Sequence, residues 1–360
     1  MKKVFWIGPL AHHSEVNNSK AISPAANIWQ LGFIDGLIQN EIKVNAISYI
    51  PHPVWPRGPL WISKPSKNIT NDGFNIKYIS YFNFFFVRWC WISLAIISTI
   101  LSEFKNIKKY FVFTYNPDPP HFFPAIILKF IYKIKWISIL ADDYTKGKPD
   151  ITLFLSYDYY CRYNEGDKYF LDGGINSKTF KTQNNKISSK KILLYAGSQS
   201  KITGIEEFVK LFSELKEEDY ELHIYGKGNN PIIKSALLKD SRIKLFGFVS
   251  DAVLDAACFS ADAFINPRSS DNEANNTFPS KLLLYLSYRK PIISTDVPGI
   301  SSKYDPFLFT YDSDDYLSFK NCLLNLKKTD TKMYAEKCES FIFKNSWSNL
   351  TKKFIEHISH

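Results

Sequence analysis

The stretch that decides the fold runs over residues 262–299, DAFINPRSSDNEANNTFPSKLLLYLSYRKPIISTDVPG. It predicts an apolar strand at 263–265, a polar loop, a short helix that begins near Pro279, and a second strand at 291–295. Proline fits the first turn of a helix because it lacks only an N–H group that would have no partner there. The free backbone N–H groups at such a helix start attract anions. The stretch therefore predicts a site for a phosphate-bearing ligand.

The run FPSKLLLYLSYRKPIIST at 278–295 resembles the donor-site segment of retaining family 4 glycosyltransferases, which have the two-domain GT-B fold. The resemblance implies sugar transfer from a nucleotide diphosphate sugar. In that family two glutamates with the spacing E-x7-E contact the sugar hydroxyls and the ribose. Asn276 and Leu284 occupy the matching positions here, so both carboxylates are absent. Asn276 can still bond a hydroxyl and Glu273 lies close enough to replace the first glutamate, whereas Leu284 cannot replace the second.

Composition predicts a folded chain of two domains. A composition of 45% hydrophobic and 22% charged residues is typical of a globular protein. The length of 360 residues exceeds that of a domain with one ordinary core. A net charge of +10 with 16% aromatic residues suits contact with anionic lipids, nucleotide sugars or nucleic acid. No Lys/Arg run is long enough for a nucleic-acid tail, so no nucleic-acid partner is expected. A basic composition inherited from an AT-rich genome would give the same charge.

Apolar strand-like runs alternate with helical patterns through both halves of the chain, which predicts α/β architecture with parallel sheets. With the resemblance, we expect two Rossmann-like domains facing each other across a cleft. The expected boundaries are an N-terminal acceptor-binding domain at 1–180, a C-terminal nucleotide-sugar-binding domain at 190–345 and a helix at 346–360 that crosses back to the first domain. The polar segment 181–189 is the predicted linker.

The donor site is expected on the second domain. Glycine turns after strands let backbone approach a ligand, and the run YAGSQSKITG at 195–204 resembles the family's diphosphate loop; an ordinary strand–helix turn is the alternative. The expected donor-binding residues are Gly197, Ser198, Lys201, Gly226, Phe248, Val249, Glu273, Asn276, Thr277, Phe278 and Lys281.

The acceptor site is expected at the carboxyl edge of the first sheet, where ligands of parallel sheets bind. Asp142 occupies the position of a family histidine near the transferred sugar, where its carboxylate could bond sugar hydroxyls. The alternative is that Asp142 and Asp143 cap a turn at the end of the strand. His12 and His13 lie where inverting GT-B enzymes carry a base, although a surface histidine is also consistent. The expected catalytic residues are Asp142, Asn276 and His13, and the expected acceptor-binding residues are Gly8, His12, Asn116 and Asp143. His121 is a further candidate at this edge.

Two apolar segments raise the question of a membrane. The N-terminal run MKKVFWIGPLA is interrupted by Gly8-Pro9 and is expected to be a strand rather than a signal peptide. The run at 89–101 is shorter than a spanning helix requires and predicts a buried or interfacial helix. Five scattered cysteines argue against a disulfide framework and for a reducing cytoplasm.

The expected function is therefore sugar transfer to a lipid-linked or polysaccharide acceptor, with retention, in the assembly of bacterial surface glycans of the O-antigen or capsule type. The expected partners are a UDP- or GDP-type nucleotide sugar, the acceptor and the inner face of the cell membrane, with no metal or cofactor. The alternatives are a catalytically impaired nucleotide-sugar-binding subunit and an inverting transferase with His12 or His13 as base. A nucleotide-sugar epimerase would need acidic residues around the diphosphate that the sequence does not supply.

Overall fold

The computed structural model describes residues 3–11, 23–65, 69–71, 74–116, 118–141, 147–175, 190–268 and 276–359. The chain divides into two compact units. The first unit holds Met1–Gly174 with Asn345–His360, and the second holds Ile175–Lys344. The predicted linker at 181–189 lies outside the described residues.

The first unit is built on one eight-stranded sheet. Its strands are β1 (Lys3–Ile7), β2 (Lys43–Ser48), β4 (Ile69–Asn71), β5 (Phe74–Tyr78), β7 (Tyr110–Tyr115), β8 (Trp136–Leu140), β9 (Ile151–Phe154) and β10 (Asp167–Phe170). Two short strands, β3 (Trp61–Ile62) and β6 (Tyr81–Phe82), form a separate antiparallel ribbon. The strand order of the sheet is β10-β9-β8-β7-β1-β2-β5-β4, and only β4 runs antiparallel to its neighbour among its described pairs. The order reverses between β1 and β7, which is where open parallel sheets bind ligands.

Helices cover this sheet. They are α1 (Pro24–Gln39), α2 (Phe85–Glu103), α3 (Pro119–Tyr132), α4 (Tyr157–Arg162) and, from the end of the chain, α11 (Trp347–His357). Central strands such as β8 are buried at every residue, as expected of a parallel sheet covered on both faces.

The second unit repeats the architecture with six parallel strands. They are β11 (Lys191–Ala196), β12 (Tyr220–Tyr225), β13 (Ile243–Gly247), β14 (Ala263–Asn266), β15 (Ile292–Thr295) and β16 (Leu308–Tyr311), in the order β13-β12-β11-β14-β15-β16. The helices are α5 (Ile205–Glu214), α6 (Pro231–Lys239), α7 (Asp251–Ser260), α8 (Lys281–Ser287), α9 (Tyr316–Lys327) and α10 (Thr331–Lys344).

The C-terminal helix α11 belongs to the first unit and packs on α1. The Trp347 ring fills the space beside Gly32 and Gly174, where any Cβ would collide with it. At Gly36 a Cβ would meet the Trp347 carbonyl at 2.6 Å. The two helices therefore approach closely because α1 carries small residues on that face.

Helix α2 is longer than the apolar run at 89–101 predicted. It begins four residues before the apolar run that predicted it, at Phe85, and reaches 19 residues. Among the described residues it is the one helix long and apolar enough to cross a membrane by length and composition, and 22% of its apolar window is buried. The expectation that the segment is too short was therefore wrong for the helix that forms.

Large apolar side chains of α2 and the β3–β6 ribbon are exposed together. We call this set the aromatic surface; it comprises Trp55, Trp61, Phe82, Phe84, Phe85, Phe86 and Trp91. Its rings contact one another: Trp61 lies 5.4 Å from Phe82 and 5.8 Å from Trp91. An exposed apolar patch of this kind marks an interaction surface.

Candidate active site

Two glycine turns pack against each other at the carboxyl edge of the second sheet. A Cβ at Gly226, whose φ is +130°, would collide with the carbonyl of Gly197. The Gly197 N–H group donates to the Tyr225 carbonyl at 2.7 Å, so the turns after β11 and β12 are held side by side. A residue with a side chain would not fit at Gly197 or Gly226, so backbone groups lie at this edge.

Lys281 lies directly over the first of these turns. Its Nζ is 4.7 Å from the centre of the Tyr195 ring and 3.5 Å from the Tyr195 hydroxyl, and it occupies the space in which a Gly197 Cβ would sit. The Tyr195 hydroxyl donates to the Ser198 carbonyl at 2.7 Å. Burial, and secondarily the nearby Arg268 guanidinium, lowers the pKa of Lys281 to about 8.

Arg268 is a functional candidate that the sequence reasoning missed. It follows β14, and its N–H group donates to the Thr295 hydroxyl at 3.0 Å. Its Nε is buried and has no hydrogen-bond partner among the described residues. Burial lowers the pKa of the guanidinium, although arginine stays charged. An arginine directly after a buried strand, at the edge where ligands bind, was the available indication.

Lys281 and Arg268 together form a site for an anion. Neither forms an ion pair with a residue that the structure describes, and the Arg268 guanidinium opposes the charge of Lys281. Two close cations that share no described counter-charge are stabilised by an anionic ligand such as a diphosphate.

The helix that was expected to attract the anion contributes less than predicted. Helix α8 begins at Lys281 rather than Pro279 and has seven residues. Its capping residue Ser280 makes no side-chain capping bond. Because the dipole of a helix this short is small, the charge at this place comes from the two side chains instead.

An exposed aromatic ring stands after β13 on the same edge. Phe248 is 72% exposed, and the Nζ of Lys227 lies 4.4 Å from the centre of its ring. Val249, its neighbour, is half-buried and packs into the core. A ring held on one side by a cation and open on the other can stack on a nucleotide base.

The other predicted donor residues are distributed around this edge. Lys201 is exposed at the start of a 3-10 turn at Lys201–Thr203, and the Ser198 hydroxyl lies 3.2 Å from that of Ser200. Asn276, Thr277 and Phe278 lead into α8 and are half-buried, with the Phe278 ring 5.5 Å from that of Tyr304. Glu273 lies outside the described residues.

Leu284 stands on α8 at the position of the ribose-binding glutamate of the resembled family, and it is 40% exposed. An exposed leucine cannot accept a hydrogen bond from a ribose hydroxyl. The missing carboxylate is therefore not compensated at that position.

In the first unit, two predicted acceptor residues have structural contacts. The amide oxygen of Asn116 accepts the N–H group of Ala141 at 2.7 Å, and Asn116 adopts a left-handed φ of +40°. Gly8 lies in ordinary contact range of Gln30 and Tyr115. Both residues shape the edge between β1 and β7.

His121 is buried next to the same edge. Its Nε2 lies 3.0 Å from the hydroxyl of Tyr49. Burial lowers the pKa of His121 to about 4, against opposing effects of Asp118 and the Asn116 backbone. Its ring is therefore neutral near pH 7 and a poor general base.

The catalytic candidates of the first unit, Asp142 and His13, lie outside the described residues, as do His12 and Asp143. Asn276 is thus the predicted catalytic residue that the structure describes. Among residues 3–11, 23–141 and 147–359, less the gaps given above, no group of three or more His, Cys, Asp or Glu side chains could hold a metal ion.

The model of the family "Glycosyl transferases group 1" matches residues 190–326. No curated protein sequence matches the chain.

Solved structures share the fold over the whole chain. A trehalose-6-phosphate synthase aligns with a TM-score of 0.72 and 8% identity over 99% of both chains. A glycosyltransferase from Rickettsia africae gives 0.70 and 14% over 99% of this chain and 97% of that one. Starch synthase IV from Arabidopsis thaliana, bound to ADP and acarbose, gives 0.66 and 12% over 99% and 98%.

These findings agree with the geometry of the second unit. The predicted fold class, two Rossmann-like domains as in GT-B glycosyltransferases, is confirmed. The family match covers β11 through α9 and includes both glycine turns, Arg268 and Lys281. Residues 190–326 thus match the model of glycosyl transferases group 1, and the predicted enzyme class, a glycosyltransferase, is confirmed at that level.

Proposed function

We propose that the protein transfers a sugar from a nucleotide diphosphate sugar to a lipid-linked or polysaccharide acceptor. The observation that carries the donor half is the Lys281–Arg268 pair over the Gly197 turn, because two half-buried cations without a described counter-charge fit a diphosphate.

In the proposed reaction these cations stabilise the leaving group. As the bond between the sugar and the diphosphate breaks, negative charge grows on the diphosphate oxygens, and fixed positive charges at that point lower the barrier. Lys201 would add a third charge from the exposed turn. Because three side chains supply this charge, we propose a reaction without a metal or other cofactor.

The identity of the donor is proposed in part. The exposed ring of Phe248 would stack on the base, and stacking alone accepts any base. We propose a UDP- or GDP-type donor, although starch synthase IV, a structural neighbour, was solved with ADP. Retention of the anomeric configuration is proposed from the family resemblance.

The acceptor is proposed to be presented at a membrane. The aromatic surface of the first unit combines exposed rings with a basic chain, and aromatic rings prefer the lipid–water interface. We therefore propose a cytoplasmic protein that is peripheral at the inner face of the cell membrane and acts in surface glycan assembly of the O-antigen or capsule type.

A turnover assay tests the proposal. The full chain is incubated with UDP- and GDP-sugars and a bacterial lipid extract, and release of nucleoside diphosphate is measured together with label transfer from the sugar. We expect transfer with at least one donor and its loss in Lys281→Met. Binding of a nucleotide sugar without transfer to any lipid or glycan acceptor would contradict the enzymatic function.

One observation favours a second candidate, a nucleotide-sugar-binding subunit with impaired catalysis. Asn276 and Leu284 replace two carboxylates, and the exposed Leu284 cannot replace the ribose contact. A Leu284→Glu variant distinguishes the two functions, since it should tighten donor binding in either case but create turnover only in an impaired site. Turnover by the wild-type chain excludes the second candidate.

A further inference from the structure

The first unit contains a cavity of about 310 Å³, and none of its lining residues is among the site residues predicted from the sequence. It lies where the segments after β2 and β7 meet the first turns of α2, at the carboxyl edge of the sheet. Its volume is at the lower end of small-ligand sites, roughly 300–1,000 Å³. The cavity is therefore large enough for one sugar-sized group.

The lining of the cavity has the chemistry of a charged sugar site. Arg88 and His52 supply hydrogen-bond donors, Asp118 supplies a carboxylate, and Tyr49 and Trp89 supply aromatic faces. Carboxylates accept hydrogen bonds from sugar hydroxyls, and a guanidinium matches the geometry of a phosphate. This combination fits a polyol that carries an anionic group.

Arg88 is the cation that would meet the anion. Its side chain forms no ion pair or hydrogen bond with any residue that the structure describes, although it is half-buried. The neighbouring start of α3 offers little to an anion, since Pro119 and Pro120 have no N–H group. The charge for a phosphate therefore comes from the guanidinium.

The cavity lies next to the aromatic surface, and Trp89 contacts both. The ring of Trp89, which lines the cavity, lies 5.2 Å from that of Phe86, and Phe86 is 61% exposed. Phe86 in turn contacts Phe85 at 4.7 Å. A ligand in the cavity would thus have apolar side chains next to it on the protein surface.

The charges around this surface match an anionic lipid layer. Between residues 49 and 103 the sequence has five Lys/Arg residues and two acidic residues, Asp72 and Glu103. Lys77 pairs with Glu103, and the cations that form no ion pair with a described residue in this segment are Arg57, Lys64 and Arg88. Basic residues among exposed aromatic rings favour a membrane that carries negative charge.

We propose that this cavity binds the sugar-phosphate head group of an amphiphilic acceptor, with its phosphate on Arg88 and its lipid part along the aromatic surface. The inference rests on the proposed function and specifies the acceptor as a lipid-borne sugar phosphate. A free sugar phosphate shares the head-group chemistry but lacks the lipid part.

Vesicle flotation with the full chain tests this inference. The vesicles are phosphatidylcholine alone, or with a minor fraction of either phytanyl phosphate-linked glucose or phosphatidylserine. We expect the sugar-phosphate vesicles to bind about tenfold more tightly than phosphatidylserine vesicles of equal charge, because Arg88 and the cavity add specific hydrogen bonds. Arg88→Gln should remove this difference, while Lys64→Gln, which lies outside the cavity on an exposed residue, should retain it.

Three results would overturn the inference. Equal binding of sugar-phosphate and phosphatidylserine vesicles, or unchanged binding by Arg88→Gln, would show that the cavity does not bind the head group. Competition by free glucose 1-phosphate as strong as that of the lipid would show that the lipid part is not recognised.

The donor site provides an independent control. Arg88→Gln should unfold at the wild-type temperature and show the wild-type stabilisation by nucleoside diphosphate, which establishes that the variant is folded. If the wild-type chain binds the sugar-phosphate vesicles but no nucleotide, the proposed transferase function fails and the head-group site stands.

Discussion

Lys281 has its charge opposed by burial and by Arg268, which lowers its pKa from 10.5 to about 8. One pKa unit corresponds to about 1.4 kcal/mol of interaction, so the charged form is held in the folded state at a cost of a few kcal/mol. Strongly perturbed groups of this kind concentrate at functional sites. An anion placed between the side chains of Lys281 and Arg268 would offset the repulsion between their positive charges.

The first prediction concerns Lys281→Met. This variant should lose the rise in melting temperature that nucleoside diphosphates give the wild type, and its ligand-free form should be as stable as the wild type or more stable, because a disfavoured buried charge is removed. Differential scanning fluorimetry measures both quantities, with Lys234→Met on the exposed face of α6 as the matched control. A retained ligand shift in Lys281→Met would contradict the assignment.

The second prediction is a pH dependence. Since the folded-state pKa of Lys281 lies below its unfolded value, the unfolded chain binds more protons between about pH 8 and 10.5, and this group's contribution makes stability rise with pH across that window. Nucleotide affinity should change in the opposite direction, falling as pH rises from 7 through 9 because Lys281 loses its proton. Titration calorimetry across this range should show proton uptake on binding near pH 8, and the Lys281→Met variant should show neither effect.

At this scale the sequence predicted some site residues and missed others for identifiable reasons. Lys281 and Gly197 stand in recognisable motifs, and the structure places them in contact. Arg268 was missed because its role depends on burial and on its distance from Lys281, which spacing along the chain does not encode. Arg88 was missed because the cavity that it lines is assembled from three separate segments.

At the scale of elements, the carboxyl-edge turns decide what the second sheet can bind. The turns after β11, β12 and β13 bring Lys227, backbone groups and the exposed Phe248 ring to one edge. Because these strands are parallel neighbours, their carboxyl ends meet without any further device.

The third prediction belongs to the turn after β13. Phe248→Ala should weaken nucleoside diphosphate binding by about 1–3 kcal/mol, the contribution of stacking one base on a ring. Stability should change little, because the ring is largely exposed. Calorimetric titration measures the affinity, and Phe343→Ala, an equally exposed ring on α10, is the control. Equal affinities in both variants would show that Phe248 does not contact the base.

The fourth prediction concerns the packing of α1 against α11. Alanine at a helical position is favoured over glycine by about 1 kcal/mol in propensity, yet Gly36→Ala should destabilise the protein because its Cβ would meet the Trp347 carbonyl at 2.6 Å. Urea unfolding should show a lower midpoint for Gly36→Ala and an unchanged one for Gln39→Ala on the exposed side of α1. A raised midpoint for Gly36→Ala would mean that the helices separate without loss.

Most long periodic elements were predictable, because hydrophobic alternation and glycine turns are local features. The apolar run at 136–140 predicts a strand, and β8 has those bounds. Helical spacing predicts helices at 25–38 and about 231–238, and α1 and α6 differ from these bounds by one residue at one or both ends. The polar composition of residues 157–180 predicts a turn-rich segment, whereas its described part contains α4 and β10. Its strand has no buried residue and gains its order by pairing with β9, a contact that sequence periodicity does not show.

At the scale of the whole molecule, the two units differ in how much of their chemistry is visible. The family match is confined to 190–326, within the unit that carries the diphosphate candidate. The first unit lies within the structural matches above, which cover 99% of the chain at 14% identity or less. Diphosphate recognition uses a few backbone turns and cations at fixed positions, so it appears as a recognisable motif in the sequence. An acceptor site formed by scattered side chains, as proposed around Arg88, leaves no such motif.

The most direct measurement of the central claim is calorimetric binding of UDP, GDP and ADP to the wild-type chain and to Arg268→Gln, with the corresponding nucleosides and a Lys234→Gln variant as controls. The account predicts that at least one diphosphate binds, that its nucleoside binds far more weakly, and that Arg268→Gln lowers the diphosphate affinity about 10- to 100-fold, the contribution of one or two charged hydrogen bonds. Equal affinity for nucleoside and diphosphate, or an unchanged affinity in Arg268→Gln, would contradict it.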